Sequence, residues 1–387
     1  MKYFSHLDTA INILQQYKEQ EPFAHFIKNF FRQDKKYGST DRKNISHLCY
    51  CYFRLGHSLE DLPVEEKILT GIFLCDHSSN DLLTYFRPEW NEHSHLKLSQ
   101  KLLIINYPFS ITDIFPWQDE LSNEIAHKKF CESFLIQPDL FLRIRPGKEE
   151  TVKKKLSYAN ILFRQLDESC IALNNLTKID SVISVNNEAV IQDYSSQRVG
   201  NFFTLTARSP QFTAIWDCCA ASGGKSIMAK DKLGDVDLTV SDIRESILAN
   251  LKKRFQQADI KEYSSFATDL STANCQLPTS LFDLIIADVP CTGSGTWSRS
   301  PEALCFFDKN EIDRYCQLQK GIISNVIPAL KKNGKLVYIT CSVFKKENES
   351  MVEFILQNFS LRLEKAELLK GYDKKADTMF AASFIAD

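Results

Sequence analysis

The stretch CCAASGGKS, Cys218–Ser226, follows an apolar run, TAIWD, and precedes SIMAKDKL, whose apolar residues recur at helical spacing. A glycine-rich turn between a buried strand and a helix lets backbone approach a ligand closely, and the helix N-terminus behind it favours negative charge. The ending GGKS resembles the triphosphate pattern G-x-x-x-x-G-K-[ST], but that pattern needs glycine where Cys219 stands. The turn therefore holds something other than a triphosphate, and the residues downstream narrow what it is.

From about residue 213 onward, strand-like and helix-like runs alternate. LTVSD follows the first helix, then RESILANLKKRF with Leu248, Leu251 and Phe255 on one face, then the buried run FDLIIAD. IDRYCQLQKGIISNVIPAL, KLVYITC, ENESMVEFILQNF and TMFAASFIA complete the alternation. This order predicts an α/β fold with a parallel sheet covered on both faces, whose ligands bind beyond the carboxyl ends of the strands. The chemically unusual residues all fall at such ends. Asp242 closes LTVSD about twenty residues after the turn, where an acid takes the hydroxyls of a ribose. Asp269 in ATDL sits where an acceptor meets an adenine amino group. The run ADVPCTGSG, Ala287–Gly295, brings Asp288, Pro290 and Cys291 to the end of one strand, and ITCS, Ile339–Ser342, brings Cys341 to the end of the next. Two thiols at neighbouring strand ends beside a carboxylate are poor choices for packing. The remaining cysteines, Cys49 with Cys51 among them, read as small buried hydrophobes. No spacing supplies a closed set of metal ligands, so no metal is expected.

The rest of the chain carries less chemistry. Residues 1–128 repeat apolar positions at helical spacing through AINILQQY, PFAHFIKNFF, NISHLCYCYFRLG and VEEKILTGIFLC, and predict an all-helical domain. Residues 129–205 alternate more like a small α+β module. There Arg143, Arg145, Lys148 and Lys153–Lys155 form either a solvated face or a set of phosphate contacts. A formal net charge of −2 excludes a globally basic surface, so any nucleic-acid contact must be local. No apolar run is long enough to span a membrane, and Asp8 and Glu19 interrupt what would be a secretion signal. Twelve cysteines without a CxxC pair suit reduced thiols in a cytoplasm.

With these residues assembled, the chain resembles the Sun/Fmu family of S-adenosylmethionine-dependent RNA cytosine carbon-5 methyltransferases. The matching runs are CAASGGKS, SDI, ATDL, ADVPCTGSG, YITCSV and KKENES, with IQDYSSQRVG leading in and TMFAASFIA closing. The N-terminal part, with YGSTDRKNISHLCYCYFRLG, is similar to the NusB-like helical domain of the family's bacterial ribosomal members. The resemblance implies a Rossmann-like methyltransferase domain at 206–387, preceded by the NusB-like RNA-binding domain at 1–128 and an RRM-like module at 129–205. It also implies that Cys219, Ala220, Ala221, Ser222, Gly223, Gly224 and Lys225 wrap the methionine end of S-adenosylmethionine, with Asp242 on its ribose and Asp269 on its adenine. Asp288 would lie between cofactor and base, Cys341 would be the nucleophile, Cys291 would help release product, and the two sulfurs would face one pocket with a pyrimidine between them. Arg143, Arg145, Lys148 and Arg299 would contact RNA. The expected partner is RNA, ribosomal by virtue of the helical domain, engaged by a monomer. Transfer RNA methylation and a catalytically inactive ribosome-assembly factor are the competing readings. Ser222 stands where the family usually has proline, and TWSRSPE keeps Arg299 alone of a usual arginine pair; both departures bear on ligand affinity.

Overall fold

The protein is described by a computed structural model covering residues 2–34, 36–205 and 213–387. The expected domain boundary at 206 lies outside the described residues. The chain divides into two compact units. One comprises Met1–Asp119, Ala126–Gln137 and Thr296–Asp308; the other comprises Glu120–Ile125, Pro138–Gly295 and Lys309–Asp387.

The first unit is helical. Its longer members are α1 (Lys2–Gln16), α2 (Phe23–Gln33), α3 (Ser39–Phe53) and α4 (Val64–Cys75), followed by shorter turns and a helix at His127–Phe134. Pro22 and Pro63 stand immediately before α2 and α4, where a missing N–H costs no helical bond. Phe23, Ile27 and Phe31 recur four apart and are buried, which gives α2 its core face. Buried Arg54 donates to the carbonyls of Phe134 (2.6 Å) and Ile136 (3.3 Å), satisfying the end of the last helix. Thr296–Asp308, read from sequence as part of 206–387, belongs to this unit instead. Trp297 packs on Phe115 and Trp117, and Glu302 accepts the Phe23 N–H at 3.3 Å.

The second unit holds two sheets. The smaller has the order β2-β3-β1-β4, from β1 (Leu140–Ile144), β2 (Phe163–Gln165), β3 (Cys170–Leu173) and β4 (Ala189–Ile191). It lies in the same compact unit as the larger sheet, and its arginines reach the helices Gly224–Leu233 and Glu245–Gln257 of that unit. Arg143, itself buried, meets Asp231 at 2.6 Å, and Arg145 meets the same carboxylate at 2.7 Å and donates to the Ala258 carbonyl, also at 2.7 Å. This corrects the expectation that Arg143 and Arg145 contact RNA phosphates: their guanidinium groups neutralise a buried carboxylate, where a charge must be paired.

The larger sheet has the order β10-β11-β9-β8-β5-β6-β7, built from β5 (Thr213–Asp217), β6 (Val236–Asp242), β7 (Ser264–Ala267), β8 (Phe282–Asp288), β9 (Leu330–Thr340), β10 (Leu361–Leu369) and β11 (Met379–Ala386). The pairs from β7 across to β9 are parallel, and β11 runs antiparallel to both of its neighbours. Period-two alternation splits the strands between two cores. Ile215, Ile286 and Val337 face one layer with Leu251 and Phe255; Trp216, Ile285 and Tyr338 face the other with Ile322 and Ile355. The strand order reverses between β5 and β8, so the crevice at their carboxyl ends is the natural ligand site. No helix of the described residues is long and apolar enough to cross a membrane.

Candidate active site

The parallel pairing of β8 with β9 sets Asp288 opposite Ile339, and Val289 donates to the Ile339 carbonyl at 3.1 Å. Cys291 and Cys341 therefore leave adjacent strands side by side. Their Sγ atoms are 3.3 Å apart, and the Cys341 N–H donates to Cys291 Sγ, also at 3.3 Å. The contact with Cys341, burial and the nearby Glu347 charge together push the Cys291 thiol well above its ordinary range. The sulfurs thus share one site, but the expected ring between them does not fit. A ring lying between the two would need them roughly 7 Å apart, at about 3.5 Å per contact. A base must enter beside the pair.

The two cysteine loops are clamped from behind. Gly295 donates to the Cys341 carbonyl and accepts from the Thr378 N–H, both at 2.9 Å. A Cβ on Gly295 would fall 1.9 Å from the Thr378 oxygen and 3.0 Å from the Cys341 oxygen, so no larger residue permits this approach. Glu347, which sequence reading saw only within KKENES, is fully buried beneath the same loops. It accepts from the Thr292 N–H (2.9 Å), Thr292 Oγ1 (2.6 Å), Ser342 Oγ (2.5 Å) and Gln319 Nε2 (3.0 Å). Burial raises its carboxyl, while the Ser342 and Thr292 bonds work the other way. Its ties join the residue after Cys291 to the residue after Cys341. Nothing in an isolated acid signals such a role. Glu347→Ala strands several buried donors and should destabilise the protein by about 2–4 kcal/mol, read by chemical denaturation. An unchanged midpoint would mean that the clamp contributes nothing.

The carboxylates converge on the switch point. Lys225 Nζ lies 2.5 Å from Asp288 Oδ2. Burial pulls the Lys225 ammonium down, but the charges of Asp288, Cys341 and Asp217 outweigh it and hold it above its ordinary value. Asp242 accepts the Ala221 N–H at 3.0 Å and so bridges the end of β6 to the quoted turn. The Thr268 N–H donates to the Asp242 carbonyl, which places Asp269 beside it, although Asp269 Oδ1 also closes a local turn on Ser271. Ser222 turns from a loss into a contact: Arg254 donates to its carbonyl at 3.0 Å and its hydroxyl at 2.6 Å, a bond proline cannot offer. Arg254 went unnoticed in the sequence. Cys219, Ala220, Gly223 and Gly224 lie in the same turn. Lys148 is exposed on the small module, and Arg299 belongs to the helical unit.

Asp217, at the end of β5, is also an addition. Its Oδ2 accepts from Ser226 at 2.5 Å, and its Oδ1 is buried with no hydrogen-bond partner. Burial, only partly offset by Ser226, raises this carboxyl to about 7. Between pH 3.8 and about 7 the folded chain then holds a proton that the unfolded chain has released. Stability from this group is complete below that window and is lost as pH rises through it. Asp217→Asn should remove that loss, so its advantage over wild type grows by about 2–4 kcal/mol from the acid to the neutral end of the window. Parallel pH profiles for the two proteins would assign the effect elsewhere.

Residues 203–383 match the family described as 16S rRNA methyltransferase RsmB/F. A probable ribosomal RNA small subunit methyltransferase B from Synechocystis sp. PCC 6803 is 26% identical over 324 residues, 78% of this chain and 70% of that protein. The ribosomal RNA small subunit methyltransferase B of Yersinia enterocolitica is 33% identical over 150 residues, 38% of this chain and 34% of its own. A probable counterpart from Bacillus subtilis is matched over 54% of its length, at 26% identity. The chain thus spans about half or less of several of the curated relatives it matches. Among solved structures, PH0851 aligns over 99% of this chain and 98% of its own, with a TM-score of 0.71 and 16% identity. NSun6 from Pyrococcus horikoshii, solved with SFG, covers 70% of this chain and 96% of its own at a TM-score of 0.60 and 12% identity. At such identities the structural likeness speaks for the fold, which is Rossmann-like. Residues 203–383 are thus similar to the RsmB/F family of 16S rRNA methyltransferases.

Proposed function

We propose that this protein transfers a methyl group from S-adenosylmethionine to carbon 5 of a cytosine in small-subunit ribosomal RNA. The observation that carries the reading is the pair of contacting thiols, Cys291 and Cys341, beside the Lys225–Asp288 ion pair at the switch point of the sheet. A binding module needs no such pair, which weighs against an inactive assembly factor.

The residues suit the cofactor. Backbone of the Cys219–Lys225 turn, the Asp242 carboxylate and the unpaired Asp217 Oδ1 offer acceptors and donors for an amino-acid end and a ribose. Asp269 lies next to Asp242 for an adenine amino group. When bound, S-adenosylmethionine supplies an electrophilic methyl group. The chain's task is to make carbon 5 nucleophilic. Cys341 as thiolate adds to carbon 6, forming a C–S bond and moving the ring's electron pair toward carbon 5. A proton supplied by Lys225 and passed through Asp288 to ring N3 takes up the charge that develops on attack, and it returns when the C–S bond breaks. Before attack Lys225 places its positive charge near Cys341. After carbon 5 has gained its methyl group, Cys291 or a water removes the carbon-5 proton, the electron pair re-forms the ring double bond, and the C–S bond breaks. The target base must be unstacked to reach these groups.

The helical residues 1–128 act as a NusB-like RNA-binding domain in this reading, with Lys148 and Arg299 as phosphate contacts and a monomer working in the cytoplasm. The test is incubation with labelled S-adenosylmethionine and RNA from cells lacking the protein, followed by nucleoside mapping. Label in 5-methylcytosine of small-subunit RNA is expected. Label in transfer RNA instead would redirect the substrate, and label on an exocyclic amine would overturn the chemistry.

A further inference from the structure

The helical unit brings together four side chains that sequence spacing keeps apart. His47 and Cys51 are one turn apart on α3; Cys75 and Asp76 end α4. The crossing of the two helices is close because residue 71 has no side chain: a Cβ on Gly71 would lie 2.4 Å from the Cys51 carbonyl oxygen. One turn beyond that crossing, the end of α4 meets the His47 and Cys51 face of α3. His47 Nε2 lies 2.8 Å from Asp76 Oδ1 and 3.6 Å from Cys51 Sγ, and the three ligand atoms all lie within 4.8 Å of one another. Cys75, the last residue of α4, stands next to Asp76 in the chain and interacts electrostatically with Cys51.

We propose that His47, Cys51, Cys75 and Asp76 form a binding site for a divalent, thiolate-preferring cation such as Zn²⁺, outside the methyltransferase site. A tetrahedral ion with bonds of about 2.0–2.3 Å holds its ligand atoms roughly 3.3–3.8 Å apart. The imidazole–thiol separation already falls in that range, and the imidazole–carboxylate pair must open by less than an ångström. Soft sulfur with imidazole selects such ions over Mg²⁺ or Ca²⁺. Opposite charges also surround the site. Two thiolates and a carboxylate carry three negative charges, and the ion neutralises two. Arg54 stands near both cysteines, and buried Lys101, which donates to the Phe73 carbonyl at 2.8 Å, stands near Asp76 and Cys75. Binding releases the thiol protons to solvent. A groove of about 290 Å³ lined by His47, Ser79, Asn80 and Asp81 gives an entry path. Cys49, two residues before Cys51, faces the Ala10 carbonyl instead and takes no part. Sequence spacing does not mark this cluster, because its residues come from two helices.

The experiment uses the full chain with Cys291→Ser and Cys341→Ser in place, so that no thiol of the methyltransferase site can bind the probe. Co²⁺ should give a thiolate charge-transfer band that Zn²⁺ displaces at one ion per chain, and Zn²⁺ should raise the melting temperature. Cys75→Ser and His47→Asn, the more accessible ligands, should each weaken Zn²⁺ affinity by at least about 100-fold. Circular dichroism confirms that both variants remain folded. No band and no thermal shift in the parent chain, or a Zn²⁺ affinity that both variants retain, would overturn the site.

Discussion

Replacing Cys341 by alanine should abolish methyl transfer while leaving the fold and cofactor binding in place. The expected loss is about 10⁴-fold or more, since without addition at carbon 6 the ring offers no nucleophilic carbon 5. Cys341 is half-buried at the end of β9, and its backbone bond to Gly295 does not depend on its sulfur. Alanine at this position thus removes the thiol with little cost to the loop. Melting temperature and S-adenosylmethionine affinity should match wild type, which separates lost chemistry from lost structure. Residual transfer within a few-fold of wild type would mean that Cys341 is not the nucleophile.

Cys291→Ala should do something different: trap protein on RNA. Cys291 touches Cys341 at 3.3 Å, yet the contact, burial and the Glu347 charge keep its proton in place. A thiol held protonated is a weak attacker; only when its neighbour's charge is taken up by bonding to carbon 6 does it lose its proton to solvent, and the resulting thiolate is the base. Without it, addition and methylation proceed but removal of the carbon-5 proton stalls. The adduct should survive denaturing electrophoresis and depend on both S-adenosylmethionine and Cys341. Turnover should fall by about 10²-fold or more, the usual worth of a positioned base. Normal turnover with no trapped species would transfer the proton-removal step to water.

Much of the sheet was legible because its strands are buried on both faces. FDLIIAD coincides with β8, and the helix-face residues Leu251 and Phe255 are in the core. The edge strand β10 was not legible. Arg362, Glu364, Lys365 and Glu367 fill its middle, and such charge on an edge discourages pairing with other chains while erasing the apolar alternation of a strand. At the site, residues at strand ends could be read because topology places them there. Glu347, Asp217 and Arg254 could not, since each acts through partners distant in sequence. Arg143 and Arg145 misled for the same reason: a basic run does not reveal a buried Asp231 across a packed interface. Segment 296–308 follows the cysteine loop directly in the chain but folds with the helical unit, a division that no composition change marks.

The central claim is that one particular sulfur of the contacting pair bonds to the target cytosine. Peptide mapping of the adduct formed by the Cys291→Ala protein with ribosomal RNA and S-adenosylmethionine tests it directly. A methylated cytidine attached to the peptide that contains Cys341 is the predicted result; attachment to any other residue, or no attached nucleotide under conditions where wild type methylates the same RNA, would contradict it.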